Sequence, residues 1–150
     1  MLTADIISVR VALLNEEGDL LTVLRPNDAD GHRNQEEFPG GKRDWLPEQQ
    51  RFETPEEAAV REAGEETGLE VTIMGDPVEL ANYIIPDGKH RGKSYLSLGF
   101  LGRITGGQLG TGSEQLPTAW RKRADLLSSP RYTPVTQQAA KLLCAQLATM

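Results

Sequence analysis

Glu62, Glu65 and Glu66 stand at i, i+3 and i+4 within "REAGEETGLE", residues 61–70. On a helix that spacing raises three carboxylates from one side. Like charges so placed repel by roughly 0.2–0.5 kcal/mol per pair even at an exposed surface. Glu65 and Glu66 also fall in the last turn of the predicted helix, where the helix dipole favours cations. Arg61, four residues before Glu65, offers the only local relief. A solvated acidic face is the plain alternative, but two local rules broken together tend to mark a functional site. A hard cation would resolve the conflict. Mg²⁺ takes oxygen ligands, commonly one or two carboxylates plus substrate phosphates. A backbone carbonyl from "PGG" at 39–41 adds another oxygen donor. These residues point to metal-assisted attack on a phosphate or similar electrophile.

The helix that must carry the glutamates is well marked. In "TPEEAAVREAGEETGL", Thr54 is placed to cap the helix, Pro55 suits its first position and Glu57 completes a capping box. Gly68 sits where a left-handed C-terminal cap is expected. Ala59, Val60 and Ala63 give a narrow stripe suited to close packing on a sheet. Upstream, "IISVRVALLN" and "LLTVLRP" read as the two strands of a hairpin turning at "EEGD". Residues 27–37 read as an exposed polar loop. Downstream, "EVTI", "PVELANYII" and "TAWRKR" read as strands, and "SYLSLGFLGRI" as a central one. "TGGQLGTGSEQLP" reads as a loop and "ADLLSS" as a helical turn. The last stretch is an amphipathic helix burying Val135, Ala139, Leu142, Leu143 and Leu147. Interleaved strands and helices indicate an α/β or α+β domain.

Composition narrows the setting. The 150 residues fit one domain, 1–150, without internal repeat or linker. A net charge of −6 argues against general affinity for nucleic acid, though a bound cation still admits a phosphorylated ligand. No apolar run approaches the length a membrane span needs, and "MLTADIISVR" lacks a basic start. The single Cys144 suits a reducing compartment, so a cytoplasmic protein is expected. Whether it is a monomer or a homodimer is left open.

"REAGEETGL" resembles the core of the Nudix box, R-E-U-x-E-E-x-G-U with U aliphatic. Arg61, Glu62, Glu65, Glu66 and Gly68 match its fixed positions, and Ala63 and Leu69 its aliphatic ones. Glu53, eight residues before Arg61, also matches, and "EFPGGK" resembles the opening of the box in members that cleave nucleoside triphosphates. One departure stands out. Eleven residues separate Gly41 from Glu53 where the usual box has five, so "KRDWLPEQQRF" contains six extra.

The resemblance implies an α/β/α sandwich with a mixed sheet between helices. It also implies Mg²⁺-dependent hydrolysis, with Mn²⁺ as the alternative, of a diphosphate linkage in a small nucleotide substrate. Carried over by position, Glu62, Glu65 and Glu66 bind metal with the Gly41 carbonyl assisting. Arg61 orients neighbouring carboxylates or makes a simple helix pair. Glu65 or Glu114, the one acid between Thr105 and Pro117, serves as general base. For substrate, Arg25 is placed to meet phosphate or to be a plain strand-end cation. Phe38 stacks on a base or packs in the core. "DGKHRGK" is a phosphate contact or a solvated turn, and Trp45 shields the site or covers apolar surface. His32 and His90 have no evident partner. "EFPGGK" favours triphosphates, whereas Pro86, seventeen residues beyond Leu69, resembles a proline of ADP-ribose-cleaving members. A nucleotide-binding module without catalysis is the third reading, disfavoured because every box carboxylate is present.

Overall fold

The computed structural model describes residues 4–25, 35–128, 132 and 134–148. In chain order the elements are β1 (Ile6–Leu13), β2 (Leu20–Arg25), β3 (Gln35–Glu37), β4 (Gly40–Lys42), β5 (Trp45–Leu46), β6 (Arg51–Phe52) and α1 (Pro55–Thr67). There follow β7 (Leu69–Ile84), β8 (Ser94–Gly107), β9 (Thr118–Arg121), α2 (Arg123–Ser128) and α3 (Pro134–Ala148).

Four strands form a mixed sheet in the order β4-β1-β8-β7, with β1 and β8 parallel and the other pairs antiparallel. Alternation along β1 sends Ile7, Val9, Val11 and Leu13 to one face, where they meet Ala58, Ala59 and Ala63 of α1. Ala12 and Leu101 face the other way and pack with Ala139, Ala140 and Leu143 of α3. The sheet therefore lies between α1 and α3, as the resemblance implies. A second sheet, β3-β2-β9, stands beside it.

Several expectations change. The first two strands turn through Asn15–Asp19 and meet at one bridge, Leu14 to Leu20, but then enter different sheets. Both edges of β1 are already taken, by β8 and β4, so β2 pairs with β3 and β9 instead. The two stretches "EVTI" and "PVELANYII" belong to one bulged strand, β7, with register shifts at Glu70/Val71, Met74/Val78 and Glu79/Ala81. Ala58 replaces Val60 in the packed stripe of α1; Val60 is exposed. In the polar run, Gln35–Glu37 is strand rather than exposed loop, and Glu36 and Glu37 are buried. Pro26, residues 27–34 including His32, and the side chains of Val135 and Leu147 lie outside the described set. Ala139 and Leu143 are buried as expected, and Leu142 is half-buried.

Candidate active site

The site begins with the ends of α1. Thr54 accepts the Glu57 N–H at 3.1 Å while Glu57 accepts the Thr54 N–H at 2.9 Å, closing the capping box. Gly68 takes φ +83° and donates its N–H to Gly64 O. No basic side chain occupies the last turn. Its carbonyls are instead met by the loop after β8. The N–H groups of Glu114, Leu116 and Gly110 reach the carbonyls of Glu65, Glu66 and Thr67 at 2.9, 3.0 and 2.9 Å. Gly112 permits this approach, since a Cβ there would fall 2.2 Å from Glu65 O. Backbone donors thus satisfy the negative end of the helix and leave its carboxylates for other use.

Arg61 is the hub. It grips Glu53 through Nε and Nη2 at 2.8 and 3.0 Å, and Nη2 also donates to the Lys42 carbonyl at 3.0 Å. Its Nη1 donates to Glu62 at 3.0 Å and to both oxygens of Glu65 at 3.0 Å. The bonds to Glu53, above all, raise the Arg61 pKa, so the guanidinium stays charged. Arg61 is therefore more than an i to i+4 pair.

Glu66 is buried and turned toward β4. It accepts the Gly40 N–H at 3.0 Å and Arg25 Nη2 at 2.8 Å. Burial pushes its pKa up, while Arg25 opposes that shift. Arg25 also donates to Gly40 O at 3.0 Å and pairs with Glu37, which Arg10 meets at 2.9 Å. This half-buried arginine holds carboxylates, a role its strand-end position alone did not reveal. Glu62 lies over Gly41, where a Cβ would fall 2.7 Å from its Oε1. Burial, and then the charge of Glu66, push the Glu62 carboxyl up to about 7.

Among the described residues no three His, Cys, Asp or Glu side chains stand in a metal-holding group. Glu62 and Glu65 are drawn onto Arg61, and Glu66 onto Arg25 and Gly40. The donor chemistry nevertheless suits a hard divalent ion. Three carboxylates share one helix side, a glycine leaves room beside Glu62, and Glu62 bears a charge its surroundings disfavour.

Other expected residues divide. Phe38 is fully buried among Leu20, Leu101 and Tyr132, so it is a core residue and does not stack on a base. Its carbonyl accepts Arg10 Nη1 at 3.3 Å. The Glu114 backbone is fixed against Glu65, with its side chain exposed. The segment that contains the six extra residues forms the β5-β6 hairpin. Its neck closes where Glu53 N–H meets Asp44 O at 2.8 Å and Asp44 N–H meets Glu53 Oε1 at 2.7 Å. Glu53 thereby keeps its hold on Arg61 despite the longer connection. Trp45 and Phe52 meet edge to face at 5.0 Å and stay exposed, with Arg43 over the Phe52 ring. Trp45 covers its hairpin partner.

Sequence reasoning missed Glu36, Glu37 and Arg10 because a polar run and an isolated arginine read as solvated surface. Glu36 is buried against Arg121 at 2.7 Å. Also missed was the pair Ser8 and Tyr95, whose hydroxyls meet at 2.6 Å, with Tyr83 stacked beside Tyr95 at 5.2 Å.

A family model described as the NUDIX domain matches residues 5–145. The chain belongs to the Nudix family. Its fold is similar to that of a MutT protein from Methanosarcina mazei Go1, at 20% identity and a TM-score of 0.70, covering 95% of this chain and 94% of that one. It is also similar to a Nudix hydrolase, RenU, from M. smegmatis, at 20% identity and TM-score 0.68, covering 97% and 86%. An ADP-ribose pyrophosphatase from Streptococcus suis gives 21% identity and TM-score 0.59, covering 96% and 91%. No curated protein matches the sequence. Family and fold agree with the expectation of a hydrolase.

Proposed function

We propose that this Nudix protein hydrolyses a diphosphate linkage in a nucleoside triphosphate, giving the monophosphate and pyrophosphate. The observation that carries the reading is that Arg61 binds Glu62 and Glu65, Arg25 and the Gly40 N–H bind Glu66, and Glu62 lies against Gly41. Glu62, Glu65 and Glu66, with the Gly41 carbonyl, would hold Mg²⁺ or Mn²⁺. When bound, the ion neutralises phosphate charge and makes a water more acidic. The chain's own residues do the rest. Arg61 aligns Glu65; Arg25 and the Gly40 N–H fix Glu66. Glu65 or Glu114 takes the proton from the attacking water as general base. The base need not be strong if the water is already acidified.

A panel of nucleoside triphosphates, dinucleoside polyphosphates and ADP-ribose with Mg²⁺ tests this reading. Metal-dependent release of pyrophosphate from a triphosphate is expected. Glu65→Gln should lower kcat by about 10²–10⁴-fold with the fold preserved by circular dichroism. Absence of turnover across the panel would leave a nucleotide-binding module. Turnover confined to ADP-ribose or nucleotide sugars would favour the second reading, which rests on Pro86 just beyond β7. We place the protein in the cytoplasm, acting on small nucleotides rather than on nucleic acid or membrane.

A further inference from the structure

Glu37 is a buried carboxylate that the chemistry above does not use. It ends β3, where strand alternation sends its side chain opposite to that of Glu36. Glu36 turns to Thr22 and Arg121 within the second sheet. Glu37 turns the other way, between two arginines from different strands. Arg10 of β1 reaches it at 2.9 Å, and Arg25 of β2 donates to it through Nε. Neither arginine stops there. Arg10 Nη1 also donates to the Phe38 carbonyl at 3.3 Å, and Arg25 Nη2 to Gly40 O at 3.0 Å and Glu66 at 2.8 Å. Charge therefore alternates in a row from Arg10 through Glu37 and Arg25 to Glu66. The four side chains are only 7% to 26% exposed, so solvent screens the row little.

Glu66 thus carries a tethered cation. A divalent ion arriving there competes with Arg25 for the carboxylate oxygens, and like charges in a partly buried site repel more than in water. The charge of Arg10 is felt at Glu66 in the same sense as that of Arg25. Glu37 lessens the competition. It takes a share of the Arg25 charge and, with Gly40 O, gives Arg25 partners to keep when Glu66 turns to an ion. Arg10 does the reverse, because it occupies Glu37 and weakens that share. Removing charge along the row should therefore change metal affinity with alternating sign. A merely structural brace predicts no alternation.

We propose that Glu37 and Arg10 are positioning residues that tune how tightly the glutamate cluster holds its divalent ion, by dividing Arg25 between Glu37 and Glu66. This deepens the hydrolase reading and rests on it for the role of Glu66 as a ligand. The test titrates Mn²⁺ alone into the full chain, without nucleotide, and follows free Mn²⁺ by electron paramagnetic resonance. Glu37→Gln keeps the side-chain shape and should weaken the Kd roughly tenfold, an ordinary size for coupling between two sites. Arg10→Gln should tighten it by about threefold, since its charge acts from further off. The double variant Arg10→Gln/Glu37→Gln should return to within about threefold of wild type, because the two changes act on one row and offset each other. It also guards against a folding defect, since it leaves no Arg10 charge buried without its partner. Weaker binding in Arg10→Gln and in the double variant, or an unchanged Kd in Glu37→Gln, would overturn the proposal, as would a wild type that binds no Mn²⁺. With a nucleoside triphosphate, the Mg²⁺ concentration giving half-maximal turnover should shift in the same order. If the Mn²⁺ pattern holds and wild type turns over no nucleotide, the hydrolase reading fails and the role of Glu37 and Arg10 stands.

Discussion

At the residue scale, the arginines account for how three glutamates coexist on one helix side. Arg61 binds Glu53, Glu62 and Glu65, and Arg25 binds Glu66, so repulsion is offset before any cation arrives. Glu53 is buried and meets both Arg61 and the Asp44 N–H. Glu53→Ala should therefore cost about 2 kcal/mol in chemical denaturation, less than a fully buried pair because Arg61 is partly exposed. Its kcat should fall as Arg61 is released. Gly41→Ala separates chemistry from folding. The added Cβ meets the flexible end of Glu62, so the thermal midpoint should barely move while kcat drops about a hundredfold. The spacing of Glu62, Glu65 and Glu66 made them stand out in the sequence as candidates. Arg10, Glu36 and Glu37 were not, because their partners come from distant strands and leave no local pattern.

At the element scale, α1 was readable nearly residue by residue because its signals are local: a capping box, a first-turn proline and a terminal glycine. Thr54→Ala should cost about 1 kcal/mol by denaturant titration. Glu57 adds a pH dependence. Its bond from Arg51, and then that from the Thr54 N–H, bring its carboxyl down to about 2. A depressed carboxyl stabilises above its unfolded pKa, and that contribution is lost as pH falls through the folded value. The thermal midpoint should therefore decline between about pH 4.5 and 2, and Glu57→Gln should show a shallower decline. Strand pairing was less legible. Nothing within "IISVRVALLN" states that β8, more than eighty residues away, will occupy its edge, so the turn was visible and the partner was not.

At the scale of the whole molecule, the central sheet joins two cores, one under α1 and one under α3, through residues that alternate along β1 and β8. Leu143 is buried against the face opposite the glutamates. Leu143→Ala should destabilise by roughly 2–5 kcal/mol. Below its lowered melting temperature, kcat should be nearly unchanged, since among the described residues no bond of the cluster involves α3. The β5-β6 hairpin shows the same separation on a smaller scale. Because Asp44 and Glu53 close it at the base, whatever lies beyond that closure is uncoupled in length from the chemistry behind it. Its exposed tip, Pro47 to Gln50, is thus an attachment port. A Gly/Ser segment or reporter peptide spliced between Glu48 and Gln49 should add only on the order of 0.6 kcal/mol for each doubling of loop length. The enzyme would then carry a label close to its working centre and keep its turnover.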